Sequence, residues 1–384
     1  MIPYGKQAIS QADIDAVVAV LQSDYLTQGP QVPAFETAVK NYSGAQFGIA
    51  VNSATSVLHI ACLALGLSEG DWLWTSPNTF VASANCARYC GADVDFVDID
   101  PHTYNLCVEQ LEQKLIQAQQ QNRLPKIVIP VHFAGQSCDM RRIHQLSQQY
   151  GFKIIEDASH AIGGRYLDLP IGGCRYSDIT IFSFHPVKII TTAEGGLATT
   201  NQPELAEKMQ LLRSHGVTRE AHLMDQALEG PWYYQQVDLG FNYRMTELQA
   251  ALGLSQMSRL DEFVAKRHQL AQRYFAELAN TDLVLPYQHP DSHSSLHLFP
   301  ILLPASLNRA EVFNRLREQG LGVNVHYIPV HTQPYYRRLG FNAGDFPQAE
   351  AYYQRAISIP LHQGLTYEEQ GYVIDCIRSL ACVD

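Results

Sequence analysis

The chain has 384 residues, of which 46% are hydrophobic and 17% charged, and its formal net charge is -11 at pH 7. This composition is typical of a folded globular protein, and the length suggests two domains or one large domain with a smaller companion. The negative charge argues against nucleic acid or an anionic membrane as the main partner. No signal-peptide pattern opens the chain and its eight cysteines form no C-x-x-C pair, so we expect reduced thiols and a cytoplasmic location.

Strand and helix patterns alternate through the first half of the chain. The predicted strands lie at 47–51, 72–75, 94–97, 127–131 and 153–156, and the predicted helices at 12–21, 57–65, 108–118 and 140–150, with further helices through Phe35 and from Phe80. This rhythm predicts an α/β fold with a mostly parallel sheet flanked by helices. Ligands of such folds collect at the carboxyl ends of the strands, so residues that follow strands are the first candidates for a site.

The most informative stretch runs from Phe182 to Gly196. A β-branched and aromatic run at 178–182 predicts a buried strand, and 195–200 predicts the strand that returns. Lys188 is the only formal charge between Asp178 and Glu194. A lysine in a mostly apolar loop at a strand end suits a lowered pKa and Schiff-base formation. A surface lysine on a turn explains this stretch equally well.

Two other strand ends carry polar residues. The small polar residues at 52–56 open a helix, where free backbone N–H groups bind phosphate well, although such residues also form ordinary N-caps. Asp157 closes an apolar strand and is costly to bury without a partner. It is either a capping aspartate or the partner that keeps a ring nitrogen protonated, as pyridoxal phosphate requires.

The last third of the chain predicts a smaller α+β domain. A helical stretch from Met245 to about Ala279 would link it to the first, giving a large domain at 1–250 and a small one at 251–384. Its predicted elements are a strand at 298–303, a helix at 309–319, a strand at 323–326 and a helix at 367–380.

Two other functions find little support in the sequence. His289, His293 and His297 are spaced by four, but Pro290 and the serine-rich context oppose the helix that would bring them together, so no metal site is predicted. No G-x-G-x-x-G occurs in the chain, which leaves a dinucleotide enzyme without support.

Four features form a specific pattern in chain order. They are a polar turn (52–55), an aromatic residue on a loop (Phe80), a strand-end carboxylate (Asp157) and a serine five residues before a lysine (Ser183, Lys188). With it, the chain resembles the DegT/DnrJ/EryC1/StrS family of fold-type I pyridoxal-phosphate aminotransferases, which aminate nucleotide-linked keto-sugars. Longer matches lie at 5–7, 156–161, 182–196, 240–251 and 326–331. The resemblance implies the α/β fold of a fold-type I PLP-dependent transferase.

The resemblance also implies residue roles. Lys188 would hold pyridoxal 5′-phosphate (PLP) and move a proton, Asp157 would pair with the pyridine nitrogen, and His160 would lie near the 3-hydroxyl unless it is a satisfied core histidine. The phosphate and ring contacts would be Ser53, Ala54, Thr55, Phe80 and Ser183, with Asn242 supplied by the other subunit of a homodimer. The nucleotide-sugar contacts would be Tyr4, Leu26, Thr27, Gln28, Gly29, Asn324, Val325, His326 and Tyr327.

The implied reaction is amino transfer from L-glutamate to C4 of a nucleotide-linked 4-keto-6-deoxy sugar. Relatives that dehydrate sugars have a histidine where Lys188 stands, which favours transamination. The segments 26–29, 191–194 and 326–331 resemble the transaminases of pseudaminic acid biosynthesis, whose substrate is UDP-linked. The alternatives are a GDP- or dTDP-linked sugar, a PLP-fold regulator without turnover, and a sugar-binding module whose lysine is structural.

Overall fold

The structure is a computed structural model and describes residues 1–380, so Cys382 lies outside the described residues. In chain order the strands are β1 (Ile2–Pro3), β2 (Phe47–Val51), β3 (Trp72–Thr75), β4 (Asp93–Phe96), β5 (Ile127–Ile129), β6 (Lys153–Asp157), β7 (Arg165–Tyr166), β8 (Leu169–Pro170), β9 (Ile179–Ser183), β10 (Gly196–Thr200), β11 (Val217–Thr218), β12 (Gln235–Gln236), β13 (Ser292–His293), β14 (Phe299–Leu302), β15 (Leu321–Gly322) and β16 (Ala356–Ile359).

The helices, again in chain order, are α1 (Gln11–Leu21), α2 (Gln31–Ser43), α3 (Ala54–Ala64), α4 (Ala82–Tyr89), α5 (Val108–Gln120), α6 (Met140–Tyr150), α7 (Pro203–Arg213), α8 (Glu247–Met257), α9 (Leu260–Leu278), α10 (Arg309–Glu318), α11 (Pro334–Arg337), α12 (Pro347–Arg355) and α13 (Tyr367–Arg378). Within residues 1–380, no helix combines the length and apolar character needed to cross a membrane. The seven cysteines of this range are free thiols.

A seven-stranded sheet lies at the centre of the molecule, in the order β2-β10-β9-β6-β5-β3-β4. Strand β10 is antiparallel to both of its neighbours, and the other neighbouring pairs are parallel. The predicted mostly parallel sheet is therefore confirmed. Strands β2, β6 and β9 point the same way, so the residues that follow them meet at one edge.

Alternate side chains of each strand pack on opposite faces of this sheet. Ile49 and Val51 of β2 contribute to an apolar cluster that also contains residues of α3, α4 and α7. Ala50, between them, belongs to a cluster with residues of α2 and α8. Because both faces are covered by helices, the inner strands are almost wholly buried, as in the run Ile179–Ser183.

A separate apolar cluster lies in the C-terminal part of the chain, where α9, α10 and α13 pack around the antiparallel pair β14–β16. The N-terminal strand joins this part, since β1 pairs in parallel with β15. The backbone N–H of Leu361 also donates to the carbonyl of Tyr4. The division into domains at 1–250 and 251–384 stays a prediction.

Two sequence predictions in this part are wrong in detail. The stretch from Met245 to about Ala279 is two helices, since the backbone of Arg259 leaves helical geometry (φ -115°, ψ 7°) between the end of α8 and the start of α9. The Arg259 guanidinium contacts Asp13 and the carbonyl of Ala8 at this break. The strand expected at 323–326 is instead β15 at Leu321–Gly322. Beyond it, the Asn324 side chain accepts from the backbone N–H of Val325, which removes that donor from the ladder.

Candidate active site

A cavity of about 520 Å³ lies at the edge of the sheet where β2, β6 and β9 end. It brings together thirteen of the predicted site residues, namely Tyr4, Ser53, Ala54, Thr55, Phe80, Asp157, His160, Ser183, Lys188, Asn324, Val325, His326 and Tyr327. Cavity residues that the sequence reasoning missed include Thr79, Ser83, Ser159, His185, Glu194 and His297. Residues that are up to about 320 positions apart in the chain therefore converge on one space.

The N-terminus of α3 forms one part of the cavity wall. Ser53 caps the helix, and its hydroxyl accepts from the backbone N–H of Ser56 at 3.2 Å. The first N–H groups of any helix lack intrahelical acceptors and carry partial positive charge, which suits phosphate. Gly196 of β10 lies so close that a Cβ there would be 2.6 Å from the nitrogen of Ala54. Only glycine therefore allows β10 to approach this turn.

Asp157 is buried at the end of β6, with 4% of its surface exposed. The Ser83 hydroxyl donates to Oδ2 at 2.7 Å, and the backbone N–H of Ser159 donates to Oδ1 at 3.1 Å. Two donors hold the carboxylate in a fixed orientation. Ser83 lies on α4, and its contact across 74 positions could not be read from local pattern.

Lys188 lies in the loop between β9 and β10 and lines the same cavity. Burial lowers the pKa of its amine to about 8, although the Asp157 carboxylate partly opposes the shift. A large fraction of the amine is therefore neutral near pH 8, as a nucleophile or a base requires. Of the two sequence interpretations, the structure favours the lysine of lowered pKa over the surface lysine.

Three histidines surround this part of the cavity and are neutral. Burial is the main cause that lowers the pKa of His160 and of His297 well below the ordinary value, and Lys188 adds to it in both cases. The same causes lower the pKa of His326 to about 3. The rings of His160 and His297 are 4.4 Å apart. The position of His297 in the cavity had no signal in the sequence.

The wall built by the N-terminus and by residues 324–327 has no formal charge. Burial raises the pKa of Tyr4 and of Tyr327, so both are neutral phenols. The Tyr4 ring lies 5.0 Å from that of His326, whose Nδ1 is 2.8 Å from the Ser358 hydroxyl. This wall offers hydrogen bonds without charge, which suits the hydroxyls and carbonyl of a neutral ligand.

Five predicted residues lie outside this cavity, namely Leu26, Thr27, Gln28, Gly29 and Asn242. The loop at 26–29 runs along the start of α8, where the backbone N–H of Glu247 donates to the carbonyl of Leu26. Asn242 is exposed and forms an antiparallel bridge with Ser214. Within one chain, the structure does not bring these residues to the others.

The cavity residues fit pyridoxal phosphate by the chemistry of their groups. An amine of lowered pKa matches its aldehyde, a buried carboxylate matches a protonated ring nitrogen, and a helix N-terminus matches its phosphate. Phe80, with 60% of its surface exposed, offers an aromatic face at the cavity. The fold and the cavity together define a PLP-dependent aminotransferase.

The sequence belongs to one family over almost its whole length. Residues 7–378 match the model of the DegT/DnrJ/EryC1/StrS aminotransferase family, and the chain belongs to it. The resemblance and the cofactor predicted from the sequence are thereby confirmed, as is the class of enzyme.

Curated relatives match the chain from end to end. The spore coat polysaccharide biosynthesis protein SpsC of Bacillus subtilis is 37% identical over 387 residues, covering 99% of this chain and 97% of that protein. The UDP-4-amino-4,6-dideoxy-N-acetyl-beta-L-altrosamine transaminase of Campylobacter jejuni is 37% identical over 383 residues, with the same coverage of both chains.

Solved structures share the fold. Helicobacter pylori PseC, an aminotransferase involved in the biosynthesis of pseudoaminic acid, aligns with a TM-score of 0.91 at 30% identity over 99% of both chains. The putative sugar aminotransferase Spr1654 from Streptococcus pneumoniae, in its PMP form, aligns with a TM-score of 0.91 at 29% identity over 99% of both chains.

Proposed function

We propose that this protein transfers the amino group of L-glutamate to C4 of a UDP-linked 4-keto-6-deoxy sugar, in a pathway such as pseudaminic acid biosynthesis. The observation that carries the transamination is the amine of Lys188, with its pKa lowered to about 8, in the same cavity as the buried Asp157 carboxylate. The UDP-linked sugar is supported by the Campylobacter jejuni transaminase, at 37% identity over 99% of this chain.

Each cavity group has a proposed task. Bound PLP supplies the electron sink that lets a proton leave the carbon bearing nitrogen. Lys188 would hold the cofactor through its amine, and once the nitrogen of the substrate has displaced it, the free amine would move that proton, since its lowered pKa lets it act as base and then as acid near neutral pH. Asp157, fixed by Ser83 and Ser159, pairs with the ring nitrogen.

Other residues of the cavity would contact the phosphate, the ring and the substrate. The N–H groups and hydroxyls of Ser53, Ala54 and Thr55, with the Ser183 hydroxyl, bind the phosphate, and Phe80 covers the ring. The uncharged groups of Tyr4 and residues 324–327 bind the sugar ring of the nucleotide sugar, which carries no charge itself. His160 is assigned to the 3-hydroxyl only by the family resemblance.

A homodimer with shared active sites is part of the proposal. Among the described residues that line the cavity, Lys188 is the only lysine or arginine, whereas the phosphate and the two carboxylates of glutamate call for further cations or donors. Asn242 and the loop at 26–29 lie outside the cavity of their own chain and are available to a second copy. Exposed apolar side chains nearby in sequence, Trp232 at 70% and Leu239 at 76%, suit burial between subunits.

A panel of UDP-, GDP- and dTDP-linked 4-keto-6-deoxy sugars tests the proposal. The holoenzyme is incubated with each sugar and L-glutamate, 2-oxoglutarate is quantified, and the aminated product is identified by NMR. The UDP-linked N-acetylated sugar should react with the highest kcat/KM. Faster amination of a GDP- or dTDP-linked sugar would refute the nucleotide assignment, and an absence of aminated product with every sugar would refute the function.

A further candidate is amination of a different nucleotide sugar for a surface polysaccharide. The observation that favours it is the identity of 37% with the Bacillus subtilis SpsC protein, equal to that with the Campylobacter jejuni transaminase. The same panel separates the two, because the product sugar would then differ in its substituents.

A further inference from the structure

Three cysteines lie together where α3 packs against α4. Cys62 is on α3, Cys86 is on α4, and Cys90 is the residue at which α4 ends. Cys62 and Cys86 are fully buried in one apolar cluster, and Cys90, which is partly exposed, packs against it. The lining of the active-site cavity includes none of the three. They therefore form a group of thiols that the proposed amino transfer does not use.

The thiols are close enough to change one another's charge. Burial is the main cause that holds the pKa of Cys62 well above its ordinary value, and the thiols of Cys86 and Cys90 raise it further. Cys90 shows the opposite behaviour, because a hydrogen bond with the Cys62 thiol is the main cause that lowers its pKa to about 6, against the opposing effect of burial. Near neutral pH, Cys62 is therefore a thiol and Cys90 is mostly a thiolate.

A histidine on α3 supports the charge on Cys90. His59, three residues before Cys62, also lowers the pKa of Cys90. Its ring is 5.5 Å from the ring of Tyr89, and its Nδ1 is 3.1 Å from the Tyr243 hydroxyl. Burial, with smaller contributions from Tyr89 and Cys90, raises the pKa of Tyr243, so this phenol adds no negative charge that would oppose the thiolate.

We propose that Cys90 and Cys62 form an oxidation site, at which a hydroperoxide converts the two thiols into a reversible disulfide. This reaction is separate from amino transfer and does not depend on the identity of the sugar. Cys90 supplies a partly exposed thiolate, and Cys62 supplies a second thiol in contact with it. Among the described residues, no three His, Cys, Asp or Glu side chains are placed to hold a metal ion, so thiol chemistry fits this cluster better than a metal site.

The reaction balances in two steps. The Cys90 thiolate attacks one oxygen of the hydroperoxide and the O–O bond breaks, which leaves a sulfenic acid on Cys90 and an alkoxide or hydroxide that takes a proton from water. The Cys62 sulfur then attacks the Cys90 sulfur and displaces hydroxide, which leaves as water with the proton of the Cys62 thiol. Two thiols are oxidised to one disulfide while the peroxide is reduced. A dithiol reverses the oxidation by thiol–disulfide exchange.

Cys62, and not Cys86, is the partner of Cys90. The hydrogen bond with Cys62 is the main cause of the low pKa of Cys90, and Cys86 is not among the causes. The Cys86 thiol is instead directed along its own helix, where it donates to the carbonyl of Ser83 at 3.3 Å. The bond that forms should therefore join α3 to α4.

Peptide mapping of the oxidised holoenzyme identifies the bond. The reduced protein is exposed to hydrogen peroxide, its remaining thiols are blocked with iodoacetamide, and it is digested with trypsin without reductant. Cys62 and Cys90 lie in different tryptic peptides, 41–88 and 89–114. The wild type should yield these peptides as one linked species that dithiothreitol separates. Absence of this species at a peroxide concentration that oxidises Cys107 would overturn the proposal.

Substitutions distinguish the partners, because Cys86 and Cys107 lie in the same two peptides. Cys86→Ala and Cys107→Ser should each retain the linked species. Cys62→Ala should abolish it and leave a sulfenic acid on Cys90, which dimedone traps. A link that survives Cys62→Ala, or one that is lost with Cys86→Ala, would overturn the assignment of the pair.

The pH dependence of alkylation tests the thiolate without any substitution. Iodoacetamide labelling of wild-type Cys90, measured by mass spectrometry, should rise with pH around its pKa of about 6 and level off by about pH 7.5, because the thiolate fraction is then nearly complete. Cys107 is also partly exposed and is the matched control. Its pKa is raised, mainly by burial, so its labelling should still rise above pH 9. A Cys90 that labels with the same profile as Cys107 would overturn the proposal.

Discussion

Replacing Lys188 by methionine should stabilise the apoprotein below pH 8. Methionine has nearly the same length as lysine and fills the same space without charge. Burial lowers the pKa of Lys188 from 10.5 to about 8, which means that the folded protein disfavours the protonated amine. The native side chain therefore carries a cost in folding free energy whenever it is protonated, and the substitution removes that cost.

The size and the sign of the effect follow from linkage. The unfolded chain keeps the proton up to its pKa of 10.5, whereas the folded protein loses it at about 8. Below pH 8 both states are protonated and the full cost is present, and between 8 and 10.5 stability rises with pH because the unfolded state binds more protons. At 1.36 kcal/mol per unit the cost is about 3 kcal/mol, reduced to about 2 kcal/mol because water in the cavity screens the partly exposed side chain.

Differential scanning fluorimetry of the two apoproteins at several pH values measures this cost. For a chain of this length, about 2 kcal/mol corresponds to roughly 2–4 °C in Tm. The variant should melt higher at pH 7, and the difference should shrink towards zero at about pH 10.5. Lys208→Met on α7, outside the cavity, is the control and should shift Tm little at any pH. The reasoning would be refuted by a variant with a lower Tm than the wild type at pH 7, or by a difference in Tm that does not change with pH.

Three further predictions concern the residues expected to bind the cofactor and the contribution of the second subunit. Ser83→Ala removes one of the two donors to the Asp157 carboxylate. The variant should bind PLP about tenfold or more weakly, as measured by the loss of cofactor from the holoenzyme on dialysis. Gly196→Ala should abolish phosphate binding, because its Cβ would lie closer than 3 Å to backbone atoms. The control is Gly364→Ala, whose Cβ would meet only a side chain at 3.5 Å. An absorbance titration with PLP should show normal binding for the control and none for Gly196→Ala. Lys188→Ala and Asn242→Asp should each be inactive. When the two variants are unfolded and refolded together, the mixture should regain about a quarter of the wild-type rate, because half of the dimers are mixed and each mixed dimer contains one intact site. No recovery of activity would argue against shared sites.

The parts of the site that could be predicted from sequence are those made by a strand and the turn after it. Asp157 and Ser183 end buried strands, and Ser53 caps the helix after a third. Since strands β2, β6 and β9 point the same way, their ends meet at one edge of the sheet. The residue pattern of each strand is local and can be recognised in the sequence. The geometry of a parallel sheet then predicts that the residues after these strands lie close together.

The parts that could not be predicted depend on contacts between distant segments. Ser83 reaches a carboxylate 74 positions away, and the His160 ring contacts the backbone N–H of Ala134 in the turn at 133–135. The break between α8 and α9 was also missed, because Leu254, Met257, Leu260 and Phe263 keep helical spacing across it. Helical periodicity reports which face is apolar, but it does not report where the backbone leaves the helix.

The pairing of β1 with β15 has a consequence for the order in which the protein matures. Tyr4 is held by a strand that needs Leu321 and Gly322, and its carbonyl accepts from Leu361. During synthesis Tyr4 leaves the ribosome long before these partners exist. The central sheet can assemble while the chain is still growing, but the wall around Tyr4 closes only after residues 321–361 have been synthesised.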